Sequence, residues 1–466
     1  MRLVAGIDSS TQSVKVVIRD AQTGELIREA RGSHPDGTEV DPRHWWDALQ
    51  ETLKDAGGLS DVEAISVGGQ QHGLVALDSN GEVIRPALLW NDTRSAKQAE
   101  ELNKEVGGNQ KIADATGSVL LAAFTASKVR WVAENEPENA KKIAALALPH
   151  DWVSWKLQEK NDLNLLFTDR SEASGTGYFN PVTSQYDRSI LAKALGSERD
   201  VILPRIVPGN EFGGQTPSGV KIGAGAGDNA AAAFGLQAKP GDVIVSLGTS
   251  GTAFAVSDTS THDASGEVAG FADVTGRFLP LVCTLNAARI LDAATQILGC
   301  THDELGELAL AAPAGAHGLT LLPYFEGERT PNRPDATGTL TGITLENSNR
   351  NDIARAYIEG MLCGLVDATN SLAQRGVAVN RILLIGGAAK NPAIGEIAAA
   401  LFGREVLIPP AGEYVANGAA RQAAWALLGG AQAPDWDLGE VKSVSAKPTP
   451  EVLVRYLQLK DRTTTW

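Results

Sequence analysis

Apolar and polar positions follow two rhythms along the chain, and the first is strand-like. Leu3, Val4, Ala5 and Ile7 lead into a polar stretch from Asp8 to Ser13, and Val14, Val16, Val17 and Ile18 lead out of it. That alternation predicts two strands joined by a tight hairpin with its polar groups at the tip. The plan recurs from Gly241 in GDVIVSLGTSGTAFAVSD, where Val243, Ile244 and Val245 precede a Gly/Thr/Ser turn and Ala253, Phe254 and Ala255 follow it. The two segments agree in pattern and not in residues. Each half of the chain is therefore expected to open on a strand, a hydroxyl-rich turn and a returning strand, as a duplicated domain would.

The second rhythm is helical. In EVDPRHWWDALQETLKDAGG, Asp41 is placed to cap a helix with Pro42 at its first position, Trp46, Leu49 and Leu53 share a face, and Gly57-Gly58 ends it. VEAISVGGQQHGLVALD reads as strand, turn and strand, and RILLIGGAAKNPAIGEIAAALFGREVLIPP as strand, glycine turn, helix and strand, with Asn391 as N-cap before Pro392. The acid-rich stretch Glu134 to Glu138 and the Pro/Asp/Lys-rich tail after Ala431 read as solvated surface.

At 466 residues the chain is too long for one core and long enough for two substantial domains or three small ones. Its formal net charge of −15 works against non-specific attraction to nucleic acid or anionic lipid, so neither partner is expected. Cys283, Cys300 and Cys363 are odd in number and form no CxxC pair, which suits reduced core thiols. No uncharged apolar run approaches membrane-spanning length, and the expectation is a soluble, cytoplasmic protein.

Two turns carry candidate chemistry. The Asp8–Ser13 tip is either a solvated turn of ordinary turn formers or a phosphate-binding loop whose carboxylate faces a bound cation. GAGAGDNAAAAFGL, from Gly223, sets Asp228 between a Gly/Ala run and a small-residue helix. There the acid either caps the helix or works beside a ligand that the small residues admit. Phosphate donors, a carboxylate toward Mg²⁺, a base for an acceptor hydroxyl and a nucleoside pocket are the parts that phosphoryl transfer needs.

Through GIDSSTQSVKV, GGQQHG, RPALLWNDTRS, ALPHDWVSWKL, TDRSEASGTGYFN, AGAGDNAAAAFG, SLGTSGTAF, LPYFEGERTPNRP and LIGGAAKNP, taken in order, the sequence resembles the FGGY carbohydrate kinases of the sugar-kinase, Hsp70 and actin superfamily. The resemblance implies an α/β fold of two ribonuclease-H-like domains, 1–236 and 237–466, flanking an active-site cleft. It implies an ATP-dependent kinase that uses Mg²⁺, with a homodimer as an expected assembly. Asp8 matches the acid near the metal, which it meets through water, and near the γ-phosphate. Thr11, Gln12 and Lys15 match hairpin positions close to the phosphates, and Gly248 and Thr249 match the second phosphate loop. Asp228 matches the catalytic base, Asn229 a sugar contact, and Gly387 and Asn391 the nucleoside turn. Many relatives have glycine where Ser10 stands, so this phosphate loop meets ATP differently or adds a hydroxyl contact.

Sugar recognition is expected from GGQQHG, where Gln71 and His72 stand at positions that carry arginine and glutamate in glycerol-phosphorylating relatives. A Gln-His pair before glycine, together with WND at Trp90 to Asp92, fits the subgroup that phosphorylates D-xylulose on its 5-hydroxyl; ribulose, gluconate and glycerol are the alternatives. His72 also has a plain structural reading as a histidine bonded to backbone. Trp90 and Trp152 read as core or cleft-wall residues, and Glu328-Arg329 as a charge pair that fixes a turn. An ATP-driven chaperone or filament would lack the sugar turn, and a non-catalytic sensor would be expected to have lost Asp8 or Asp228.

Overall fold

The opening hairpin forms as its pattern predicts. Strands Leu3–Ser9 and Ser13–Asp20 pair antiparallel with Asp8 opposite Lys15, and the Ser10 N–H donates to the Ser13 carbonyl at 2.9 Å across the turn. Leu26–Ser33 extends this edge antiparallel. On its other side Leu3–Ser9 runs parallel to Val62–Gly69, which continues to Lys221–Gly223 and then to Phe212–Gln215. The two-residue strand Ala226–Gly227 pairs with the last residues of Val62–Gly69.

This computed structural model describes residues 1–465 and divides into two compact units. The first holds Met1–Ala238, Ser257–Leu279 and Glu413–Asp437, the second Lys239–Val256, Pro280–Gly412 and Leu438–Trp466. In the first unit, one face of the sheet is covered by the helix Pro42–Asp55, capped by Asp41 through the Arg43 N–H. Its buried stripe is Pro42, Trp45, Leu49, Thr52 and Leu53. Trp45, and not the expected Trp46, heads that stripe because the spacing from 42 through 45, 49 and 52 keeps one helical face; Trp46 only packs at its rim. Trp152 is core, edge-on to Trp45 with ring centroids 6.3 Å apart.

Val4, Val17 and Ala64 on the opposite face are covered by the helix Tyr414–Leu428, through Ala416, Ala420, Ala423 and Ala424. The approach is close enough that a Cβ on Gly6 would overlap the Ala416 carbonyl oxygen and the Ala420 nitrogen. Gly418 of the same helix lies equally close to the Ala231 carbonyl, on the helix that begins at Asp228. The tail after Ala431, expected as solvated surface, departs from that reading. Trp436 is buried against Gly24 and donates its indole N–H to the Ala21 carbonyl at 3.2 Å, and a strand, Lys442–Val444, and a helix, Pro450–Arg462, follow. One large apolar side chain outweighed a polar local composition.

The second unit repeats the plan. Asp242–Leu247 pairs antiparallel with Gly251–Ala255, which pairs with Phe278–Thr284, while on its other side Asp242–Leu247 runs parallel to Arg381–Ile385. Val406–Ile408 and Lys442–Val444 complete that side. In both units, then, the first strand stands between its own hairpin partner and a parallel neighbour. Glu328 is fixed differently from the expected charge pair. Buried, it accepts from the backbone N–H groups of Leu285 at 2.6 Å and Arg329 at 2.7 Å and from the Asn286 amide at 3.0 Å. All three cysteines are free thiols.

Candidate active site

Parallel register brings three strand ends together. Asp8 is level with Gly68 and Ser9 with Gly69, and Ala226 and Gly227 are level with the same two glycines on the far side. The chain leaves Val62–Gly69 into Gln70, Gln71 and His72, and leaves Gly227 into Asp228. The acid of the first strand, the expected sugar turn and the second acid thus emerge at the carboxyl ends of adjacent parallel strands, where open α/β sheets bind ligands.

Asp8 is 2% exposed. Its carboxylate accepts from the Ser10 hydroxyl and lies 3.4 Å from Lys15 Nζ, which is also 2.5 Å from the Glu413 carboxylate. Burial holds the Asp8 carboxyl above its usual range, although Lys15 and the Ser10 and Lys15 hydrogen bonds oppose it. Burial also acts to lower Lys15, but Asp8 and Glu413 outweigh it and the ammonium is held above its ordinary value. Ser10, the departure in the loop, therefore contacts the acid itself. Thr11 accepts the Trp90 indole N–H at 2.9 Å, and Gln12 is exposed at the tip. Glu413 was not singled out in the sequence, where it is a lone acid after a Pro/Gly stretch.

The Gln71-His72 turn, where sugar recognition is expected, is strained. His72 has φ of 72°, in the left-handed region, and the Gly73 N–H donates back to the Gln71 carbonyl at 2.9 Å. A bond from i+2 to i with a positive central φ is the rare hand of the γ-turn. Tertiary contacts hold it there. The Gln71 amide donates to the Ser171 carbonyl at 2.6 Å, and the Thr125 hydroxyl donates to the His72 carbonyl at 2.8 Å. His72 Nδ1 lies 2.8 Å from the Gly175 carbonyl, which assigns the proton to that nitrogen. Its ring packs against Phe124 and Phe271, with centroids 4.7 and 5.6 Å away. Strain of this kind persists where the surroundings over-determine it.

Asp228 opens the helix Asp228–Gly235 and accepts from the Asn229 N–H at 2.7 Å and the Asn229 side-chain amide at 2.8 Å. Desolvation raises its carboxyl, Asp8 adds to the rise, the Asn229 bonds oppose it, and the result is about 6. Such a group is ionised at neutral pH yet more basic than an ordinary aspartate, as a general base needs. Asn229 orients the acid here, through the amide expected to meet sugar.

Behind Gly227 lies a buried ionisable layer that sequence reasoning missed. The helix Pro149–Lys156 supplies His150 and Asp151, and the turn of helix from Arg170 to Ala173 supplies Glu172 with Asp169 as its N-cap. His150 Nε2 faces the Ala224 carbonyl at 3.2 Å and Nδ1 lies 2.9 Å from Asp151. Both nitrogens thus face acceptors. Burial acts to lower this imidazole, but the Asp151 carboxylate prevails and holds it above its usual value. Asp169 accepts from the Ser171 and Glu172 N–H groups and from the Ser171 hydroxyl, and that hydroxyl oxygen receives the Gly227 N–H at 3.1 Å. These residues sit in ALPHDWVSWKL and TDRSEASGTGYFN; the available signal was His150 and Asp151 set between apolar residues, while Asp169 and Glu172 stand in a polar, small-residue stretch.

In the second unit, Gly248 and Thr249 form the tip between Asp242–Leu247 and Gly251–Ala255, with Thr249 exposed. Gly387 is exposed just beyond Arg381–Ile385, with open space where a Cβ would stand. Asn391 caps the helix Pro392–Phe402 by accepting the Ala393 N–H at 3.0 Å and donates to the His302 carbonyl at 2.8 Å, so its amide is already engaged.

Comparison with known proteins identifies the family. Residues 3–235 match the N-terminal domain of the FGGY family of carbohydrate kinases and residues 243–427 its C-terminal domain. The chain is 43% identical to a xylulose kinase of Streptomyces coelicolor, over 92% of this chain and 88% of that one, and 40% identical to one of Streptomyces rubiginosus, over 99% and 95%. The crystal structure of xylulose kinase from Bifidobacterium adolescentis superposes with a TM-score of 0.92 at 46% identity, over 98% of this chain and 99% of that one. With both domains matched and the two acids at adjoining strand ends, this chain belongs to the FGGY family of carbohydrate kinases.

Proposed function

We propose that the protein transfers the γ-phosphoryl group of ATP to the 5-hydroxyl of D-xylulose, giving D-xylulose 5-phosphate and ADP. The observation that carries this reading is the register that brings Asp8, the Gln71-His72 turn and Asp228 to one end of the first unit's sheet. The relatives named xylulose kinases supply the choice of acceptor. Asp228 takes the hydroxyl proton as the oxygen attacks, Asn229 holds the carboxylate in place, and Gln71 and His72 bind the sugar from a turn too constrained to adapt to other shapes. Thr11, Gln12 and Lys15, with Gly248 and Thr249, meet phosphate oxygens, and Gly387 and Asn391 meet the nucleoside; the exposed hairpin tips and the open space at Gly387 support these roles.

Mg²⁺ fits as a partner of the nucleotide. Among the described residues no group of three His, Cys, Asp or Glu side chains could cage a metal, and a single buried carboxylate such as Asp8 is what an ion that keeps waters and phosphate oxygens requires. Asp8 would hold it through water, and the ion would neutralise charge on the transferring phosphate.

Rates of ADP release with D-xylulose, D-ribulose, L-ribulose, glycerol and gluconate test the assignment. D-xylulose is expected to give the highest kcat/KM by about tenfold or more, since one or two pocket hydrogen bonds separate epimers. A better acceptor among the others overturns the sugar and leaves the kinase. Asp228→Asn is expected to lower kcat by about two to four orders of magnitude with sugar binding retained, and near-normal turnover removes Asp228 from the role of base.

A further inference from the structure

Glu172 is 0% exposed, yet among the described residues neither of its carboxyl oxygens has a hydrogen-bond partner. Its Oε2 lies 3.1 Å from where a Cβ on Gly227 would stand, directly behind the residue that precedes the base. Among the described residues the one basic group paired near it, His150, is 4.0 Å away and already lies 2.9 Å from Asp151. The other charged groups acting on it are all acids: Asp151 from the helix Pro149–Lys156, Asp169 from its own N-cap, and Asp228 from the following strand and helix. The Gln71 side chain, also behind Gly227, is uncharged.

We propose that Glu172 is a proton-bearing positioning residue, whose un-ionised carboxyl fills the space behind Gly227 and leaves Asp228 free to carry the negative charge of the base. This rests on Asp228 having that role. A buried carboxylate with no protein donor among the described residues and three acidic neighbours is a costly state, and protonation removes the cost. Burial first, and then Asp151, Asp169 and Asp228, push this carboxyl well above its usual range. The layer then holds one proton on Glu172 and one extra proton on His150. Were Glu172 ionised instead, its charge would favour protonated Asp228, and the acceptor hydroxyl would meet an acid rather than a base.

The test uses the full chain and Glu172→Gln, which keeps shape and removes the ionisable proton. The infrared difference spectrum of wild type against E172Q at pH 8 is expected to show a protonated carboxylic-acid carbonyl band present only in the wild type. The acid limb of kcat/KM in E172Q is expected at the wild-type pH. A missing band, or an acid limb in E172Q displaced downward by one pH unit, overturns the proposal. The infrared result does not depend on turnover, so it separates failure of this inference from failure of the base assignment, which Asp228→Asn reads.

Discussion

Removing the Asn229 amide while leaving its backbone tests the basicity of Asp228 most directly. In Asn229→Leu the backbone N–H bond at 2.7 Å remains and the side-chain bond at 2.8 Å is lost. Both bonds hold the Asp228 carboxyl down against desolvation. A hydrogen bond to a charged group is worth about 1.5 kcal/mol at the low end, and about 1.4 kcal/mol corresponds to one pH unit. The acid limb of kcat/KM should therefore move from about 6 to about 7. The ionised fraction at pH 7 would fall from about nine-tenths to about one half, and at pH 6 from about one half to about one tenth. Relative to its own plateau near pH 9, the variant should retain about half its activity at pH 7 and about a tenth at pH 6. ADP release measured from pH 5 to 9, with D-xylulose below KM, reads this directly. A lost sugar contact would instead lower kcat/KM equally at every pH. A limb at the same pH in both enzymes refutes the coupling, and a wild-type limb near 4, where an ordinary aspartate titrates, refutes the raised basicity itself.

Other expectations follow from the same geometry. Lys15→Met removes the cation 3.4 Å from Asp8, which opposes the rise that burial imposes on that carboxyl, and should raise the Mg²⁺ concentration for half-maximal rate by about tenfold as protons compete better with the ion; an unchanged Mg²⁺ titration would count against Asp8. Gly6→Ala drives a Cβ into the backbone of the helix Tyr414–Leu428 and should cost about 1–3 kcal/mol or more in urea unfolding; an unchanged midpoint would contradict that contact. His72→Gly relieves the left-handed φ but loses the ring between Phe124 and Phe271, so KM for D-xylulose should rise by about tenfold or more while unfolding moves by only about 1 kcal/mol, the two terms opposing each other.

Much of the site was legible because its geometry is local. The hairpin holding Asp8 opposite Lys15 follows from alternation alone, since a period of two fixes which residues face each other across a tight turn. Asp228 was legible for a related reason: small residues before an acid and an alanine helix after it mark a close backbone approach. What stayed hidden depends on pairing between distant segments. Nothing local to GGQQHG says that His72 will take a left-handed φ, because Ser171, Gly175 and Thr125, about a hundred residues or fewer away, hold it there. Glu172 carries no signal of its own, since a glutamate in a short turn of helix is ordinarily solvated, and only tertiary packing seals it from water. Trp436 was obscured by its polar neighbours.

The alanine-rich helix that closes over Val4, Val17 and Ala64 arrives late in synthesis. The first unit's other long segment ends at Ala238 and the completing one at Asp437, so at about 5–20 residues per second the ribosome takes roughly 10–40 seconds to supply it. Throughout that interval the nascent sheet presents one finished face and one bare apolar face, and Lys15 waits for Glu413. An N-terminal fragment ending at Ala238 would keep that half-finished surface permanently. It should collect in inclusion bodies or on holdase chaperones, and a separately supplied peptide spanning Glu413–Asp437 should rescue its solubility.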